Sequence, residues 1–385
     1  MDTDRLLLTS PMMTQLTPTT ILHRVPWTLL VPAVALMLLG LTGIARGDDL
    51  VGGGELARRQ VVWIVLSVMA LLAATVMPYR SLRHGAYLWL AASVALLIVV
   101  FFFPERNGAR RWIPTPIMHF QPSEMAKLAC ILALARYLVF HEHVRRLRGL
   151  IVPFLMTLVP MGLILKEPDL GTALLFLPVL FAMLFAAGAR LWHLLLVVAL
   201  GVALLPVLWL GMRPYQQLRI ISVFSQRDGG VAPQDFEYHL HQSKQVLALG
   251  GVWGSEMSGM TVDDPDAYNL PERRTDFVLC MVGERWGLIG TLLTLSLYLL
   301  LFARGLLLAA ATREPFGRLV AVGIIALLAG QTILNAGMTV GLLPITGVTL
   351  PLMSYGGSSL LFTCLALGLL INIGLRPSFD GARNL

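Results

Sequence analysis

The chain has 385 residues, 56% of them apolar and only 13% charged, with a mean hydropathy of +0.75. A soluble domain carries about 25% charged residues, so a water-soluble globular enzyme is excluded and an all-α integral membrane protein is expected. The net charge of +7 and pI of about 9.7 would raise nucleic acid as a partner in a soluble protein. Here they are read as arginines facing anionic head groups, with membrane lipids as partners and no nucleic acid. Cys130, Cys280 and Cys364 lie inside apolar stretches without CxxC or zinc-type spacing and are read as small packing residues.

The first 26 residues are polar and irregular, with no cleavable signal peptide in view, and are expected to form a cytoplasmic tail. A membrane helix needs about 20 predominantly apolar residues. Ten stretches meet this over 27–45, 61–78, 86–103, 122–140, 150–166, 170–188, 191–212, 276–303, 317–343 and 354–375, so 27–385 reads as one transmembrane domain. With a cytoplasmic N-terminus, thirteen arginines fall in the inside segments and seven basic residues in the short outside loops. That bias places both termini inside. The long connection 213–275, between the seventh and eighth spans, then lies outside. Its segment FEYHLHQSKQVLALGG, 236–251, reads as a short amphipathic helix with a glycine stop, resting on the membrane surface.

Charges inside or beside apolar spans are costly and mark function or pairing. In LPERRTDFVLCMVGERWGLIG, 270–290, Asp276 stands at the start of its helix. Thr275 or Asp276 can cap free backbone N–H groups there. Alternatively, Asp276 is a general base held at the water–lipid boundary beside Arg273 and Arg274. Glu284 is eight residues further on and returns to nearly the same face, so it either lines the same cavity or pairs with a neighbouring helix. In QPSEMAK, 121–127, Pro122 suits a first helical turn. Glu124 and Lys127 share a face, as an ion pair or as the lining of a polar cavity. KEPDLGT, 166–172, is a tight turn, and GLLPITGVTLPLMSYGGSSL, 341–360, has the irregular backbone that membranes tolerate only under cover.

Taken in order, NGARRWI (107–113), FQPSEMAKL (120–128), EPDLGTA (167–173), HQSKQVLALGG (241–251), LPERRTDFV (270–278), GERWGLIG (283–290) and GLLPITGVTLPLMSYGGSSLL (341–361) resemble the SEDS family of RodA, FtsW and SpoVE. The resemblance implies a ten-helix fold with a large extracytoplasmic loop between helices seven and eight. It implies a peptidoglycan glycosyltransferase that polymerises lipid II with a class B penicillin-binding protein as partner. By matching position it makes Asp276 the essential carboxylate. Glu124, Lys127, Arg111, Arg219, Tyr215, Lys244, Arg273, Arg274, Ser354, Gly356 and Gly357 become the substrate-binding set. Gln217 replaces a basic residue common in the family, and VWGSEMSGMTVDDPDAYN, 252–269, is longer and more acidic than the family pattern. QPSEMAK and QSK lean towards RodA and cell elongation.

The chemistry that follows is one inverting displacement, with Asp276 as base on the attacking 4-hydroxyl and no carboxylate nucleophile. Arg111, Arg219 and Lys127 would offset the departing pyrophosphate. No dedicated metal cluster is evident, and a divalent ion, Mg or Mn, on Asp276 or Glu124 stays open. No P-loop or Rossmann signature points to ATP or a nucleotide sugar. A lipid-linked substrate requires a groove open to the bilayer. The competing readings are a lipid II flippase and a non-catalytic scaffold for the penicillin-binding protein.

Overall fold

The computed structural model describes residues 26–50, 54–105, 109–116, 119–141, 145–212, 214–224, 236–259, 270 and 272–375. Most of the expected N-terminal tail, Arg106, and residues 225–235 and 260–269 of the large loop lie outside them. Each of the ten expected spans is occupied by a helix: α1 Trp27–Asp49, α2 Glu55–Val76, α3 Tyr79–Val99, α4 Pro122–Phe140, α5 Ile151–Lys166, α6 Leu170–Ala186 and α7 Leu191–Gly211 come first. Two loop helices follow, α8 Pro214–Phe224 and α9 Phe236–Leu249. The last three are α10 Val278–Ala311, α11 Pro315–Thr339 and α12 Gly357–Leu375.

Among the described residues seven helices are long and apolar enough to cross a membrane, α3 and α5 when taken with the short turns that adjoin them, as Tyr79–Phe102 and Leu147–Lys166. The α4 helix carries Glu124, Lys127 and Arg136, and α6 is short but strongly apolar. The outer surface decides the setting. Leu88, Trp192, Leu210 and Leu299 are 74%, 80%, 83% and 69% exposed, a greasy face that water would not tolerate and lipid does. The chain is therefore a multi-pass membrane protein.

Helix ends run past the apolar stretches because charged first turns lie outside hydrocarbon: α2 opens on Glu55, Arg58 and Arg59, well before 61. Pro122 and Pro315 stand in the first turns of α4 and α11, where a missing N–H costs nothing. The Glu314 carboxylate accepts from Gly317 N at 2.5 Å and caps α11. The main packing pairs are α2 with α12, α1 with α10, α3 with α4 and α6 with α11. Helices α4, α11 and α12 are covered on most faces. By contrast α7 buries Leu194 alone among its described residues, so it stands at the rim of the bundle.

Two features were not anticipated. Ile113–Pro114 pairs antiparallel with His119–Phe120 as a small two-stranded sheet. The α10 helix is broken at Gly287, whose φ of 66° and ψ of −159° belong to a region open essentially to glycine alone. The break receives the loop after α9: Leu288 N donates to Gly251 O at 2.9 Å, and a Cβ on Gly287 would lie 2.4 Å from Val252 O. The glycines of GERWGLIG and LALGG thus exist to let two backbones touch.

Candidate active site

The elements converge at one end of the bundle, where α1, α3, α5 and α11 finish and α2, α4, α6, α10 and α12 begin. Before α10 the chain turns over residues 272–277. Thr275 N, Asp276 N and Phe277 N all donate to Glu272 O, at 3.1, 3.0 and 3.3 Å. No side chain caps α10; the Thr275 hydroxyl bonds Glu272 Oε2 at 2.9 Å instead. The capping alternative for Thr275 and Asp276 is therefore overturned: the Thr275 hydroxyl is taken by Glu272, and neither side chain bonds the first turn of α10. Asn335, fully buried on α11, donates from Nδ2 to Asp276 O and to Val348 O, both at 2.7 Å. It pins the Asp276 backbone to the 345–349 loop. In that loop Gly347 lies against the carboxylate, and a Cβ there would be 3.3 Å from Asp276 Oδ2.

Asp276 keeps partial solvent access while loops surround its carboxyl. Burial above all, then the charges of Glu272 and Asp169, raises it from 3.8 to about 7, while Arg111 and Arg219 pull the other way. A group so poised is half-ionised near neutrality, as a general base requires.

Arg111 sits between the small sheet and the EPDLG turn. Its Nε donates to Glu167 O at 3.0 Å, its Nη2 donates to Pro168 O, and Nη1 is 3.9 Å from Asp169 Oδ2. Asp169 in turn caps α6, accepting from Thr172 N at 3.2 Å. Glu124 and Lys127 form the buried ion pair, 2.8 Å apart and 6% and 5% exposed. Gln121 N donates to Ser358 Oγ at 3.3 Å and ties this start of α4 to α12.

A profile of the cell cycle protein family, that of FtsW, RodA and SpoVE, matches residues 22–377. The chain belongs to this family. It is 34% identical over 366 residues to the probable peptidoglycan glycosyltransferase FtsW of Geobacter metallireducens, covering 92% of this chain and 96% of that one. It is 33% identical over 332 residues to the peptidoglycan glycosyltransferase MrdB of Escherichia coli K12, covering 86% and 87%. Among solved structures, a chain from a peptidoglycan synthase complex described as coordinating polymerization and crosslinking superposes with a TM-score of 0.78. That chain shares 32% identity and is 97% covered, over 91% of this one.

In this SEDS-family chain the remaining candidates separate by role. Ser354 Oγ donates to Thr275 O at 2.5 Å and accepts from Leu350 N at 2.8 Å, and Tyr355 N donates to Arg274 O at 2.9 Å. The MSYGG loop is thereby bound to the ERRTD turn, and Ser354 holds the site rather than facing it. Gly357 opens α12 against the Trp63 ring, where a Cβ would lie 2.6 Å away, whereas a Cβ on Gly356 would make only ordinary contact with Ser359, at 3.8 Å. Arg274 Nε pairs with Asp48 Oδ1 at 3.0 Å, and Asp48 Oδ2 accepts from Ala57 N at 2.8 Å, so this arginine clamps α1 and α2 to the turn. Burial, and then its neighbour Arg274, lowers the pKa of Arg273 against the pull of Asp48. Arg219 is on α8 within electrostatic reach of Asp276. Lys244 is on α9, half-buried. Tyr215 is on α8, but its side chain lies outside the described residues.

Glu284 does not join Asp276. It is fully buried, and Arg46 Nε and Nη2 grip its two oxygens at 2.9 and 2.8 Å. Among the two sequence readings, pairing with a neighbouring helix is the one found. Sequence reasoning missed Glu167, Asp169, Glu272 and Asn335 as members of the site, although the EPDLGTA stretch that carries two of them was on the page. Among the described residues no group of three or more His, Cys, Asp or Glu is placed to hold a metal ion. A Mg or Mn ion would depend on substrate oxygens for most of its ligands.

Proposed function

We propose that the chain is a peptidoglycan glycosyltransferase that polymerises lipid II into β-1,4 glycan strands at the outer face of the cytoplasmic (inner) membrane. The observation that carries this is Asp276, set near neutrality beside Arg111 and Arg219 at one end of the bundle. Asp276 takes the proton of the attacking 4-hydroxyl as its oxygen bonds the donor's anomeric carbon. The bond to the lipid pyrophosphate breaks, and its electron pair leaves with the phosphate. The N–H groups of Arg111 beyond those spent on carbonyls, together with Arg219, meet that developing charge.

The likeness to FtsW and MrdB relatives supports the reaction class. Helices at all ten expected places, with arginines 80, 83, 145, 146, 148, 190, 313 and 318 at the end opposite Asp276, support ten spans with both termini in the cytoplasm. The exposed flanks of α7 suit a substrate arriving sideways from lipid. A class B penicillin-binding protein is the proposed partner, in line with the similar chain seen in a complex that joins polymerization to crosslinking.

The test is purified protein with its partner given labelled lipid II, glycan polymer being followed on a gel. Polymer is expected, with kcat rising through pH 7 and levelling off about one pH unit above it as Asp276 ionises. Translocation of lipid II without polymer favours the flippase, and neither outcome favours the scaffold. The elongation role, proposed on QPSEMAK and QSK, predicts rescue of rod shape in cells depleted of their elongation polymerase. Rescue of septation alone would reassign it to division.

A further inference from the structure

The EPDLG turn holds a group the mechanism above does not use. Glu167 is 1% exposed, and neither of its carboxyl oxygens has a hydrogen-bond partner among the described residues. Its backbone is well fixed: N donates to Leu163 O and Ile164 O at 3.2 and 3.1 Å, and O accepts from Arg111 Nε. A buried carboxyl left unmatched is costly, so a turn whose backbone is fastened this firmly, with an arginine on its carbonyls, holds one there for a ligand.

Position says which ligand. A Cβ on Gly171 would lie 2.7 Å from Thr346 O, so the turn packs directly on the loop whose Gly347 touches Asp276. Asp169 and Arg111 act electrostatically on both Glu167 and Asp276. We propose that the Glu167 carboxyl takes a hydroxyl or acetamido group of the lipid-linked sugar and is a further substrate-binding residue of this site. This rests on the glycosyltransferase reading.

The charged neighbours of Glu167 are Asp169 on its own turn and Arg111 from the loop before α4. Burial, then Asp169, raises Glu167 from 4.5 to about 8, against Arg111. At neutral pH it therefore offers one O–H donor and one acceptor oxygen, the pair that a sugar hydroxyl or amide presents in return. Asp169 at its side disfavours a phosphate there.

The experiment compares Glu167→Gln and Glu167→Ala in the full chain with lipid II, reading KM and kcat at pH 7 and pH 9. Glutamine keeps a donor and an acceptor, so its KM should stay within about 2-fold of wild type, while alanine should raise KM about 10-fold with kcat little changed. Wild-type KM should climb between pH 7 and pH 9 as the donor is lost, and that of Glu167→Gln should stay flat. A glutamine variant as impaired as alanine would overturn the proposal, because charge or a cation would then be what matters. So would an alanine variant with unchanged KM and only a lowered melting temperature. Should wild type make no polymer, the polymerase reading falls by itself. Direct binding of lipid II to wild type and Glu167→Ala then decides the subsite, weaker binding by alanine upholding it and equal binding rejecting it.

Discussion

Replacing Asp276 by alanine or asparagine should cost about 100- to 10,000-fold in polymerisation rate, the usual worth of a positioned general base, and leave the protein folded. The asparagine variant is the sharper probe. The Asp276 backbone is held by Glu272 O and Asn335 Nδ2, and neither contact involves the carboxyl. Linkage fixes the sign of the stability effect. The folded-state pKa is raised above its ordinary value, so the native protein binds a proton the unfolded chain has lost between about pH 4 and pH 7. The ionised carboxylate thus opposes folding, and stability falls as pH rises through that window. At pH 8, Asp276→Asn should melt no lower than wild type while polymerising at the reduced rate given above, and that residual rate should lose the rise through pH 7. Normal polymer from this variant, on the same gel assay, would remove Asp276 from the chemistry.

What could be read in the sequence depended on how far apart the interacting residues are. Spans were legible because about 20 apolar residues in a row leave little alternative to a membrane helix. The amphipathic segment 236–251 was legible for the same local reason, and α9 covers Phe236–Leu249. The α8 helix was not, since PYQQLRIISVF is short and carries no strong apolar run. The break at Gly287 depends on a loop more than thirty residues upstream pressing its backbone into the helix. Of the two readings open for Thr275 and Asp276, the cap of α10 is not the one found, because the Thr275 hydroxyl turns back to Glu272 Oε2 in the preceding turn. Asp276 itself stood out as a charge beside hydrocarbon. Of the acids that tune it, Glu272 stands in the same turn, but Asp169 comes from elsewhere in the chain, and no spacing rule joins it to Asp276.

The same limit applies to Glu284, whose partner Arg46 lies 238 residues away, and this pair carries a large stability effect. Arg46 comes from the last turn of α1 and also donates to Ser255 Oγ at 3.4 Å. Next to it Arg285 reaches Glu256 Oε2 at 3.1 Å and Thr42 O at 3.2 Å. Together these bonds fasten the loop after α9 to α1 and to the break in α10. Removing one partner of a buried ion pair strands the other charge and costs about 3–5 kcal/mol. Glu284→Ala, or Arg46→Ala alone, should therefore lower the melting temperature of the detergent-solubilised protein by many degrees. A pair of apolar side chains of similar volume removes both charges at once and is often neutral. Arg46→Met with Glu284→Met should accordingly recover most of the stability lost by either single change. If the double variant melts as low as the singles added together, the pair is not an isolated ionic contact. The loop contacts that Arg46 makes through Ser255 would then be the part that holds α10 in its broken shape, and with it the turn that presents Asp276.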